Sequence, residues 1–157
     1  MVVTLEKPSY RGHLKILILK MLSEKPLHGY GIMQELKERY GLPHPSPGTI
    51  YPILASLRRS GLIEVIGEGK REKRLYRATE KGRRYLEENA GELEEVLRTV
   101  ERFREFSRLG GVEVGRVLKE AFSLLDELSE EQKEELAEEF RDFVRRIRRI
   151  LSDARTR

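Results

Sequence analysis

Between residues 12 and 61, apolar positions recur at helical spacing in three runs, and proline or glycine separates one run from the next. Leu14, Leu17, Ile18, Met21 and Leu22 form a stripe over residues 12–24, and Ile16 and Leu19 widen it until most of the circumference is apolar. Such a helix is expected to be buried on two sides, against its own domain and against a partner. Lys25-Pro26 ends the run, because the residue before proline is pushed out of the helical region. A second helix starts at His28-Gly29-Tyr30-Gly31, buries Ile32, Met33, Leu36 and Tyr40, and stops at Gly41. Leu42-Pro43-His44-Pro45 is the turn before the third.

The third run is the best punctuated. Ser46 stands at the N-cap with Pro47 at the first helical position, and Gly61 closes the element where a left-handed residue is wanted. Ile50, Ile53, Leu54 and Leu57 face inward, leaving Thr49, Tyr51, Ser56 and Arg59 outward; Pro52 predicts an irregular first turn. Three helices in about 50 residues, with a rigid turn before the last, outline a helix-turn-helix.

After Gly61 the period shortens to that of a strand. Residues 62–66 and 75–79 are β-branched or aromatic and short, and the loop between them holds Lys70, Arg71, Lys73 and Arg74. A basic two-stranded hairpin after three helices predicts a winged helix, with the wing on phosphate and the third helix in the major groove.

Thr79 caps a further helix, expected to run from residue 80 to about 109. Leu86, Ala90, Leu93, Leu97 and Val100 alternate by four and three along it, with Val96, Phe103 and Phe106 on the flank. At 1.5 Å per residue it would be about 45 Å long, too long for a small domain to cover, so a partner helix is expected. Gly110-Gly111 breaks the chain. A helix over residues 112–128 follows, then one capped by Ser129 with Gln132 three residues on, whose stripe includes Leu136, Phe140, Phe143, Ile147, Ile150 and Leu151. The fold expected is mainly α with a small β-hairpin: a winged helix-turn-helix domain (residues 1–85), then a helical dimerisation region (86–157) of one long helix and a helical hairpin.

Charge sharpens the division. The net charge is +4. Residues 1–85 carry 17 Lys and Arg against 8 Asp and Glu, whereas residues 86–157 carry 14 against 19. The basic half contains the outward face of the third helix, as a nucleic-acid reader with a separate assembly segment would have it. No apolar run approaches the roughly 18 residues of a membrane span, and the first eight residues do not read as a signal peptide, so a cytoplasmic protein without a membrane partner is expected. The chain has no cysteine, and His13, His28 and His44 lack ligand spacing, which leaves no metal or cofactor site and no catalytic constellation in view. The competing class is a winged-helix protein-interaction module that does not bind DNA; the basic wing favours DNA.

Four blocks, His28-Gly29-Tyr30-Gly31, residues 46–54 (SPGTIYPIL), Ser60-Gly61-Leu62-Ile63 and residues 75–82 (LYRATEKG), occur in this order over residues 12–86. In them the chain resembles the PadR family of transcriptional regulators, most specifically at Gly48-Thr49-Ile50-Tyr51-Pro52. The resemblance implies a homodimer that binds palindromic double-stranded DNA, usually as a repressor, with many members released by a small-molecule effector near the dimer interface. Relatives thought to stack flat ligands use tryptophans, which this chain lacks. By this resemblance Tyr51 is the foremost DNA contact. Thr49, Ser56 and Arg59 join it on their own chemistry, with Ser46 and Tyr30 at the starts of their helices and Lys70, Arg71, Lys73 and Arg74 on the wing. The expected dimer contacts are Leu14, Leu17, Leu86, Leu93, Leu97, Val100 and Phe103.

Overall fold

The computed structural model describes residues 7–42, 45–67 and 74–155, the side chains of residues 7–11 excepted. The chain divides after Leu109 into two units.

The first unit is built around α1 (Lys7–Glu24). Leu14, Ile16, Leu17, Ile18, Leu19, Met21 and Leu22 are all 3% exposed or less, as befits a helix apolar nearly all round. α2 (Gly29–Glu38), α3 (Pro47–Arg59), α4 (Glu80–Glu88) and α5 (Ala90–Arg108) supply the rest of the unit's helices. α3, α4, α5 and the sheet all pack on α1. This corrects the expectation that a partner covers α1: Leu14 and Leu17 have spent their surface inside their own chain.

The sheet has three antiparallel strands in the order β1-β3-β2. β2 (Ile63–Ile66) and β3 (Leu75–Ala78) form the expected wing, with Val65 opposite Tyr76 and Ile66 opposite Leu75. β1 (Leu27–His28) was not expected; it pairs with β3 and ties the α1–α2 connection to the wing. α3 runs unbroken through Pro52, without the predicted irregular turn. It ends as expected: Gly61 takes φ +70°, which lets the Leu62 N–H reach back to the Leu57 carbonyl at 3.0 Å.

The long helix expected over residues 80–109 is two helices. At Asn89 the backbone leaves helical geometry (φ −111°, ψ 29°), and the Tyr85 carbonyl accepts both the Asn89 N–H at 3.0 Å and the Asn89 side-chain amide at 2.8 Å. α5 therefore folds onto the core. Val96 and Val100 are buried and Leu93 and Phe103 half-buried against it, and the boundary expected after residue 85 falls inside the unit. Leu86 and Val100 are core residues of this protomer, a second correction to the expected dimer contacts.

The second unit contains α6 (Gly111–Ser123) and α7 (Glu130–Arg155). Ser129 and Gln132 make the predicted capping box: the Gln132 N–H donates to Ser129 Oγ at 3.1 Å, and the Ser129 N–H donates to Gln132 Oε1 at 2.9 Å. The two helices follow one another in the order expected, and no residue of either is buried. Among the described residues no helix is long and apolar enough to cross a membrane.

Candidate nucleic-acid interface

The outer face of α3 is fixed by what its inner face buries. Ile50, Ile53, Leu54 and Leu57 enter the core, turning Thr49, Ser56, Arg58 and Arg59 outward. Ser46 has the extended backbone of an N-cap, but its hydroxyl makes no cap bond; it lies 3.1 Å from the Thr49 hydroxyl, placing two hydroxyls at the exposed start of the helix.

Tyr51 is half-buried, its ring packed against the core and its hydroxyl lying over Gly29, the first residue of α2. A Cβ added to Gly29 would sit 2.8 Å from the Tyr51 hydroxyl and 3.1 Å from Cε1, so a side chain there would displace the phenol from this seat. Tyr30, next to Gly29, is 66% exposed. The Tyr51 hydroxyl of α3 is thus brought to the N-terminus of α2.

Between α3 and the wing lies a cleft of about 240 Å³ lined by Tyr51, Leu54, Ala55, Arg58, Arg74 and Tyr76. Arg74 was expected to contact DNA from the wing; here it is the half-buried base of that wing. Arg58 and Tyr76 were missed. Tyr51, Ala55 and Arg58 follow one another at i, i+4 and i+7, so helical spacing could have found Arg58. Arg58, Arg59 and Arg74 form no ion pair with another described residue, whereas Arg77 on the wing is neutralised by Glu64 at 2.7 Å. Lys70, Arg71 and Lys73 lie outside the described residues.

A hydrogen-bonded junction holds α3 to the wing. The Thr79 hydroxyl donates to the Gly61 carbonyl at 2.6 Å and accepts the Gly82 N–H at 3.1 Å, while Lys81 Nζ donates to the Ser60 carbonyl at 2.9 Å. The two carbonyls that follow α3 are thereby satisfied by groups at the start of α4, with a cation at the negative end of the helix dipole.

Residues 18–88 match the family model of the transcriptional regulator PadR-like family. Transcriptional regulator Rv3488 of Mycobacterium tuberculosis is 39% identical over 93 residues, which cover 57% of this chain and 84% of that protein. The chain belongs to the PadR-like family. PadR-like proteins are transcriptional regulators, not enzymes. Transcriptional regulator YqjI of Escherichia coli is 37% identical to this PadR-like chain over 86 residues, and the chain spans only 41% of its length. A transcriptional regulator from Clostridium thermocellum shares the fold, with a TM-score of 0.51 at 24% identity, covering 64% of this chain and 98% of its own.

Proposed function

We propose that this PadR-like chain binds palindromic operator DNA as a homodimer in the cytoplasm and represses transcription. α3 enters the major groove, and the wing and the N-terminus of α2 hold the phosphate backbone. The observation that carries the reading is the convergence of Tyr51, Arg58 and Arg74 on one cleft between α3 and the wing, within the basic half of the chain. Guanidinium groups and phenols on a helix face are suited to phosphate oxygens and base edges. Leu97 and Phe106, exposed on α5, with the half-buried Leu93 and Phe103, supply a twofold contact that brings two copies of α3 to successive turns of a duplex. A small-molecule effector at that interface completes the switch.

The test is a titration of the full chain against the duplex upstream of its own gene and a scrambled duplex. Neutralising about 6 to 10 phosphates should cost roughly 10³- to 10⁵-fold in affinity between 50 and 200 mM salt. Tyr51→Ala should lose about 1.5–3 kcal/mol of operator affinity, roughly 10- to 150-fold, with solution mass unchanged. Equal binding by the variant would overturn the assignment of the α3 face, and no binding to either duplex at low salt would favour the protein-interaction module.

A further inference from the structure

Gly41, Gly61, Gly67 and Gly110 take a left-handed φ, and there the backbone itself calls for glycine. Gly29 is not one of them. It opens α2 in ordinary helical geometry, where alanine is at least as well accommodated, and it is buried. What it leaves no room for is a side chain, since Tyr51 Cζ as well as the hydroxyl would crowd an added Cβ, at 3.0 Å. Gly82, helical too, makes the contrast. An added Cβ there would lie 2.1 Å from the Leu62 carbonyl oxygen, which is backbone and yields only if α4 moves.

The two close approaches differ in what must give way. At Gly82 it is the chain itself, so that glycine serves the fold. At Gly29 it is the far end of one side chain, whose ring packs against the core and which lines the cleft together with Arg58 and Arg74. A methyl group on Gly29 therefore leaves α2 and α3 in place and shifts the phenol alone. Alanine also keeps the backbone N–H of residue 29, so the N-terminus of α2 retains its donors.

We propose that Gly29 is a positioning residue for the duplex: by carrying no side chain it fixes the place of the Tyr51 phenol beside Arg58 and Arg74, and its substitution reaches the DNA through that phenol alone. The inference rests on the DNA reading of the cleft and adds to it a residue on another helix that works by having nothing to offer but space. Gly29 thus belongs to the reading face, although its contact is with the protein.

The test is a double-mutant cycle in the full chain. The unsubstituted protein, Gly29→Ala, Tyr51→Ala and the double variant are titrated against the duplex upstream of the gene, and each is unfolded in urea. Gly29→Ala should bind roughly fivefold or more weakly, the net worth of one hydrogen bond, with an unchanged urea midpoint. In the Tyr51→Ala background the same substitution should change affinity by less than about twofold, since two residues that act through one group do not add. Gly82→Ala should lower the urea midpoint, which is what a glycine serving the fold does. Unweakened binding by Gly29→Ala beside weakened binding by Tyr51→Ala would overturn the proposal and leave the DNA reading standing. An equal loss in both backgrounds would mean that the methyl group obstructs the duplex directly, and a lowered urea midpoint for Gly29→Ala that it disturbs the fold; either overturns the proposal. Unweakened binding by Tyr51→Ala would fault the α3 face, and the proposal with it.

Discussion

The two units use the same four-and-three apolar spacing to opposite ends. In the first, α1 and the inner faces of α3 and α5 bury their stripes within the chain, and, beside pairs along single helices, three ion pairs join distant residues: Lys25 with Glu35, Arg39 with Glu24, Arg77 with Glu64. In the second, no side chain is buried, and the ion pairs found among the described residues link neighbours on one helix, Arg116 with Glu113, Lys133 with Glu130, Arg145 with Asp142. A stripe says that a surface needs covering; whether the cover is intramolecular depends on what the chain brings to it. Stability of the first unit is a property of one molecule, fixed by the core it builds from its own residues.

Core truncation is the hardest blow to this contrast. Leu17→Ala should cost about 2–5 kcal/mol in urea unfolding followed by circular dichroism, because it empties a fully buried site. Ile147→Ala in α7 should leave the same transition within about 0.5 kcal/mol in dilute solution. A comparable loss from both would mean that α7 is part of the core after all.

Thr79→Ala should cost about 1–2 kcal/mol, since the hydroxyl both caps α4 and holds the end of α3. Helical signal from α7 should not change. A loss below 0.5 kcal/mol would show that Lys81 alone secures the junction.

The smallest effect is on pH. Arg39 donates to the Glu24 carboxylate and holds its pKa below the usual range, offset in part by burial. A carboxyl with a lowered folded-state pKa stabilises the fold above its unfolded value and loses that contribution as pH falls through the lowered value. The pair is largely solvent-exposed, so the contribution is under about 1 kcal/mol. Between pH 6 and pH 3 the urea midpoint of the unsubstituted chain should fall slightly more than that of Glu24→Gln. Identical declines would show that the pair contributes nothing to the first unit.

Much of this was legible in the residues. Proline and glycine bracket α2 and α3 so closely that their limits follow from backbone preference, and Ser129 with Gln132 announces the start of α7. β1 was not legible because two residues cannot display an alternation. The break at Asn89 hid because the apolar period continues through it and the change of backbone geometry is confined to one residue. Leu14, Leu17, Leu86 and Val100 were given to a partner because a wide stripe does not reveal how many neighbours its own chain provides. In the candidate site, Tyr51 and Arg74 were readable, whereas Tyr76 enters the cleft only through the pairing of β2 with β3.

The seat of Tyr51 on Gly29 has a mechanical consequence. With a phenol wedged where no Cβ intervenes, α2 and α3 cannot slide past one another without opening that seat. On a duplex, where one base step is about 3.4 Å of axial travel, a misplaced reading helix would carry the α2 N-terminus off its phosphate by the same distance. Grip and readout would then fail as one event, and a frame error on the operator would be rejected as a whole.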